Sequence, residues 1–92
     1  MKTAPEYLDN AAAEMKDRAK TYDNPTGERS MAKTVAAFNI IYGTDMSEEE
    51  GWQFMSILKK VRSTQGEYRE DNHVDDVAYS SLAAEAAGQK EI

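Results

Sequence analysis

Leu8, Ala12, Met15, Ala19 and Tyr22 recur at alternating spacings of four and three, the period of one apolar helix face. Thr3 followed by Glu6 has capping-box spacing, and Pro5 falls in a first turn that needs no N–H from it. Together they predict a helix over residues 4 to 22. The stretch "DNPTGERS" then carries Asn-Pro and a glycine, which turns the chain. Ser30 can cap a second helix in which Met31, Val35, Phe38 and Tyr42 form a stripe, with Gly43 as its stop. Ser47 with Glu50 repeats the capping-box spacing and opens a third helix that runs to about Gln65, before Gly66. On it Phe54, Met55, Ile57, Leu58 and Val61 share one broad face, which the pattern assigns to the core. A fourth helix starts near Asp71 or Asn72 and ends near Gly88. With no strand pattern and short connections, the expected class is all-α: one helical domain over residues 1–92, built as a four-helix bundle or as paired antiparallel helical hairpins.

Some apolar residues miss these faces. Ile40 points almost opposite Met31 and Phe38, and Ala36 and Ala37 widen the apolar belt of the second helix. A helix apolar nearly all round is covered on more than one side. In so small a protein the simplest extra cover is a second copy of the chain. Trp52 projects away from the Phe54/Leu58/Val61 centre, on the side of Ser56 and Lys59. It is either a platform for a base or a partner, or a cover for the bundle end or a dimer seam; the lack of a basic groove favours the cover. Ala36, Ile40 and Trp52 are therefore the predicted interface of a homo-oligomer.

Composition sharpens this picture. A chain of 92 residues buries only about 60% of its unfolded surface and often gains stability by association. There is no cysteine, which removes disulfides and thiolate metal ligands. A net charge of −6, with Lys and Arg dispersed, argues against direct nucleic-acid binding. The longest apolar run, "VAAFNII", is too short for a membrane span, and the expectation is a protein neither secreted nor membrane-inserted.

The candidate chemistry is concentrated in "REDNHVDDVAY", residues 69–79. Acids in the first turn of a helix oppose its dipole, and an Asp or Asn there caps it, so capping and surface charge account for most of this run. Asp75 shares a side with Leu82 and should be half-buried, whereas Asp76 is turned about 100° away and should be wet. A half-buried carboxylate needs a partner. Arg62 is the expected one, with Lys59 or Tyr79 completing the hydrogen bonding. A metal site on Asp71, Asp75 and Asp76, with Mg²⁺ as the cation, is the weaker alternative, because hard cations want acids converging from several elements. His73 is read as solvated, since no Ser, Cys or second His offers it a catalytic pattern. No catalytic residue and no cofactor are expected.

From Tyr22 to about Ala86 the chain resembles a family of small proteins encoded by tailed bacteriophages and prophages. The resemblance is carried by "YDNPTGERSMAKTVAAFN", "EEEGWQFMSILKKVRS" and "DNHVDDVAYSSLAAEA", with Lys59-x-x-Arg62, Asp71-Asn72-x-x-Asp75 and Tyr79 in order. It implies a phage protein made in the host cytoplasm, with a host protein as a possible partner and no attached activity. That family is distantly similar to the all-α nucleoside triphosphate pyrophosphohydrolases of MazG type, helical oligomers that hold Mg²⁺ through E-x-x-E followed by E-x-x-D. Here the E-x-x-E is Glu67-x-x-Glu70, before the last helix, and the E-x-x-D pairs, Glu6-x-x-Asp9 and Glu14-x-x-Asp17, come earlier. The order is reversed, so the leading expectation is a non-enzymatic accessory protein that self-associates through helices 2 and 3. The alternative is a divergent Mg²⁺-dependent nucleotide-binding or pyrophosphohydrolase-like protein.

Overall fold

Where local chemistry is strongest, it sets the helix ends as expected. In the computed structural model, which describes residues 1–22 and 30–89, the backbone N–H of Thr3 donates to Glu6 Oε1 (3.1 Å) and that of Glu6 donates to Thr3 Oγ1 (3.4 Å). The Ser47–Glu50 box forms in the same reciprocal way, at 3.1 and 2.9 Å. Gly43 ends the second helix with φ +66°, the left-handed conformation that favours glycine. The elements are α1 (Ala4–Tyr22), α2 (Ser30–Tyr42), α3 (Glu48–Ser63) and α4 (Glu70–Gln89), with no strand among the described residues. The turn expected around Asn24–Pro25, and the side chains of Ala19 and Tyr22 on the first stripe, lie outside the described residues.

The helices pack in the order α1, α4, α3, α2. α4 is the centre, burying Val74, Ala78, Tyr79, Leu82, Ala83 and Ala86. It begins at Glu70, so Asp71 and Asn72 are inside its first turn rather than capping it. α3 runs antiparallel to it: Trp52 stacks on Tyr79 with ring centroids 5.7 Å apart, and Ser56 reaches Asp76. α1 runs in the same sense as α4, because Lys2 meets Glu70, Tyr7 meets His73, and Ala11 packs with Val74 and Ala78 further along.

Two helix faces differ from the periodicity. On α1 the packed line is Tyr7, Ala11 and Met15, while Leu8 and Ala12 face outwards. One position of rotation brings the small Ala11 against α4 and lets the Tyr7 hydroxyl reach that of Tyr68. On α3 the change is larger. The buried side is Gly51, Trp52 and Ser56, with Met55 packed beside it, whereas Phe54, Ile57 and Val61 are exposed by 61%, 58% and 47%. α3 has two apolar flanks and offers one of them to α4. The flank with the larger aromatic ring and two small residues allows the closer approach, so it wins. Trp52 is therefore core, 4% exposed, and not the interface residue the pattern suggested; Ala36 and Ile40 are exposed.

α2 crosses α3 at Gly51. A Cβ there would lie 2.6 Å from Met31 Sδ and 2.7 Å from Val35 Cγ1. Methionine can bend away, but β-branched valine cannot. Gly51→Val is expected to lower stability by about 1–3 kcal/mol, seen as a fall in the urea midpoint. Gly51→Ala should lose less, since a helix-propensity gain of up to about 1 kcal/mol offsets part of the clash. A midpoint unmoved by valine would show that the crossing is not tight.

The chain is open for its size. Its radius of gyration is 14.1 Å, against about 12 Å for a compact chain of this length. It exposes 6632 Å², roughly 1,300 Å² more than a folded monomer of 10.3 kDa should. Among the fully buried side chains the largest is Ser56.

Candidate functional site

The charged residues singled out in the sequence meet along the α3–α4 seam, with different partners from those expected. Antiparallel packing sets the register: once Trp52 faces Tyr79 and Ser56 faces Asp76, the next turn of α3 places Lys59 opposite Asp75. Lys59 Nζ lies 3.0 Å from Asp75 Oδ2, and both side chains are largely buried. Arg62 is a turn too far along to reach Asp75 and is exposed. Tyr79 is committed to the Trp52 stack. The cation of this pair is thus Lys59, not Arg62.

Asp76 is not wet. Lys60 Nζ donates to both of its oxygens at 2.9 Å and to Ser56 Oγ at 2.8 Å, while the buried Ser56 hydroxyl donates to Asp76 Oδ1. Ser80 Oγ adds a longer contact at 3.5 Å. Desolvation pushes the Asp76 carboxyl up, but the hydrogen bonds from Ser56 and Lys60 and the lysine charge outweigh it and hold it below the usual range. Two consecutive lysines on α3 thus clamp two consecutive aspartates on α4.

Glu14, met in the sequence only as part of the E-x-x-D pair with Asp17, reaches the same region from α1. Burial pushes its carboxyl up, the charge of Asp75 and a hydrogen bond with that carboxylate push further, and Asp71 adds to them; Arg18 pulls the other way. Because the native state favours the protonated form, the contribution of Glu14 to stability is intact at low pH. It is lost as pH rises through its raised value. Glu14→Gln, which keeps the hydrogen bond without the charge, is therefore expected to melt higher than the parent near neutral pH and equally below about pH 4. Thermal melts across that range check it; a variant that melts lower at neutral pH would show that Glu14 is not held against Asp75.

Among the described residues no group of three or more acids or histidines is placed to hold a metal ion. Asp71 is exposed, while Asp75 and Asp76 each go to a lysine. Asn72 is buried and its N–H donates to Arg69 C=O (3.2 Å), but its side-chain amide has no hydrogen-bond partner among the described residues. His73 is exposed, with its ring stacked on Tyr68 (5.5 Å) and edge-on to Tyr7 (6.5 Å). The hydrogen bond between the two tyrosines pushes the Tyr68 hydroxyl up to about 12. These rings, with Asp76 and Val77, line an open recess of about 330 Å³. Lys2, bonded to Glu70 Oε2 at 2.6 Å and 5.7 Å over the Tyr7 ring, ties the start of the chain to its rim.

Asn39 was also missed. Its side chain accepts from the Met46 N–H (2.9 Å) and from Thr44 Oγ1 (2.7 Å), and donates to Met46 C=O (2.9 Å), closing the α2–α3 turn. Either side of this turn, α2 and α3 expose large apolar side chains. Phe38, Ile40, Ile41 and Tyr42 on α2 and Phe54, Ile57 and Val61 on α3 are all exposed, by 39% to 84%. No helix among the described residues is long and apolar enough to cross a membrane.

Compared with known proteins, residues 6–87 match the family described as Domain of unknown function (DUF6378). No curated protein and no solved structure matches.

Proposed function

The chain belongs to the DUF6378 family, and on that footing we propose that it is a non-enzymatic interaction protein that self-associates through α2 and α3. One observation carries this reading: the seven large apolar side chains exposed on those two helices. Scaled by their exposures of 39% to 84%, they leave several hundred Å² of apolar surface in water, on the order of what one partner brings to a standard interface. The surplus of exposed surface and the expanded radius point the same way. Ordinary monomers rarely leave so large an apolar area uncovered. The resemblance of "EEEGWQFMSILKKVRS" and "DNHVDDVAYSSLAAEA" to phage proteins supports a role in the host cytoplasm, with a host protein as the further partner. Sedimentation velocity at micromolar concentration tests the self-association; the expected result is a dimer or larger species, and a strict monomer would overturn it. Recovery of the same host protein by wild-type chain, and not by an apolar-face variant, tests the partner.

A second reading, divergent Mg²⁺-dependent nucleotide binding, is favoured by the Glu14–Asp75 contact and by the side-chain amide of buried Asn72, which has no hydrogen-bond partner among the described residues. A divalent cation satisfies two facing carboxyls as a proton does. Stabilisation by nucleotide only in the presence of Mg²⁺ would support this reading, and an unchanged melting temperature across a nucleotide panel would remove it.

A further inference from the structure

We infer that a second copy of this chain docks with its α3 antiparallel to the first, across the stripe Phe54, Ile57, Leu58 and Val61, about a two-fold axis near Ile57 and Leu58. This rests on the self-association just proposed and specifies its geometry. The inner side of α3 is already occupied by α4, through Trp52, Ser56 and Lys59, so the stripe is the side left to receive a helix. Its spacing of three, one and three places all four residues on one seam, as in a two-helix contact of coiled-coil type.

Charge sets the direction. The first turn of α3 holds Glu48, Glu49 and Glu50, and its last turn holds Lys60 and Arg62. A parallel mate would bring six carboxylates together at one end and the bases together at the other. An antiparallel mate keeps the two acidic turns at opposite ends of the seam, brings Glu50 of each copy within about one turn of Arg62 of the other, and opposes the two helix dipoles. With the axis between Ile57 and Leu58, Phe54 lies level with Val61 of the second copy. The contact uses the same patch on both subunits, so it closes at two copies and leaves no sticky end.

The chain has no cysteine, so single introduced thiols report the geometry without interference. Under mild oxidation of the full chain, Ile57→Cys should cross-link to itself in the bulk of the protein. Phe54→Cys and Val61→Cys should each link poorly alone but give several-fold more disulfide dimer when mixed. Self-linking of Phe54→Cys and of Val61→Cys, with no gain on mixing, would overturn the antiparallel arrangement in favour of a parallel one. No cross-link in any variant, with sedimentation still showing dimers, would overturn the α3 seam and leave self-association standing. A wild-type chain that sediments as a strict monomer would overturn both. Far-UV circular dichroism of each variant, substituted at exposed positions, confirms that it is folded.

Discussion

Trp52→Ala is expected to remove about 3–5 kcal/mol of stability, a large fraction of the 5–15 kcal/mol that holds an ordinary domain together. Trp52 is 4% exposed, stacked on Tyr79, and in one cluster with Met31, Val35, Leu82, Ala83 and Ala86. The flexible Met31, Met46 and Met55 around it can refill only part of a hole of indole size, so a cavity remains. Unfolding in urea should be followed by far-UV circular dichroism, because the substitution removes the single tryptophan of the chain. Trp52→Phe retains a ring to face Tyr79 and should lose less. A midpoint close to the parent's for the alanine variant would show that α3 is not anchored by this ring.

Ile57→Asp should do the opposite: leave the subunit folded and take the assembly apart. At 58% exposure its side chain contributes little inside the subunit, and the change in subunit stability should be within about 0.5 kcal/mol. In a two-fold seam each copy brings its own new carboxylate, so two like charges meet where water is excluded. The dissociation constant is expected to rise about 30-fold or more, a hot-spot effect of roughly 2 kcal/mol. Sedimentation across a concentration series reads the change directly. A variant that self-associates as tightly as the parent would remove Ile57 from any seam. Because Trp52 and Ile57 lie on opposite flanks of one helix, the two variants separate folding from assembly.

Much of the fold was legible because it is written locally. The Thr3–Glu6 and Ser47–Glu50 boxes and the Gly43 stop depend on residues within one turn of each other, and they form as the spacing indicated. The class, all-α with four helices among the described residues, followed from period and from these stops and caps. What period does not encode is which neighbour covers a stripe. Phe54, Ile57 and Val61 make a proper apolar face, yet the subunit turns it outwards, since α4 takes the flank where Gly51 and Ser56 leave room for Trp52. Counting apolar residues penalised that flank for its serine and lysine. Those polar groups are the ones that bind Asp75 and Asp76 across the seam.

The same limit explains the ion pairs. Asp75 was rightly expected to need a cation from α3, and the antiparallel register supplies Lys59 instead of Arg62. Asp76 looked solvent-facing on a helical wheel because the wheel has no neighbour on it; Ser56 and Lys60 come from the other helix. The meeting of Glu14 with Asp75 was illegible for a third reason: Glu14 joins the site from α1, more than fifty residues away in the chain, and its local E-x-x-D spacing with Asp17 says nothing of such a contact.

The uneven distribution of these contacts dictates the order in which the molecule comes undone. The α3–α4 hairpin holds the ring stack and both lysine–aspartate clamps, whereas α1 meets α4 through Ala11, Val74 and Ala78 with the Lys2–Glu70 pair and Tyr7 at the rim, and α2 meets α3 through Met31 and Val35 at Gly51. Amide deuteration should therefore sweep first through the outer helices α1 and α2 and reach the hairpin last, the hairpin behaving as its own cooperative unit. A binding partner that displaced α1 would uncover the outer side of α4 while the hairpin beneath remained intact.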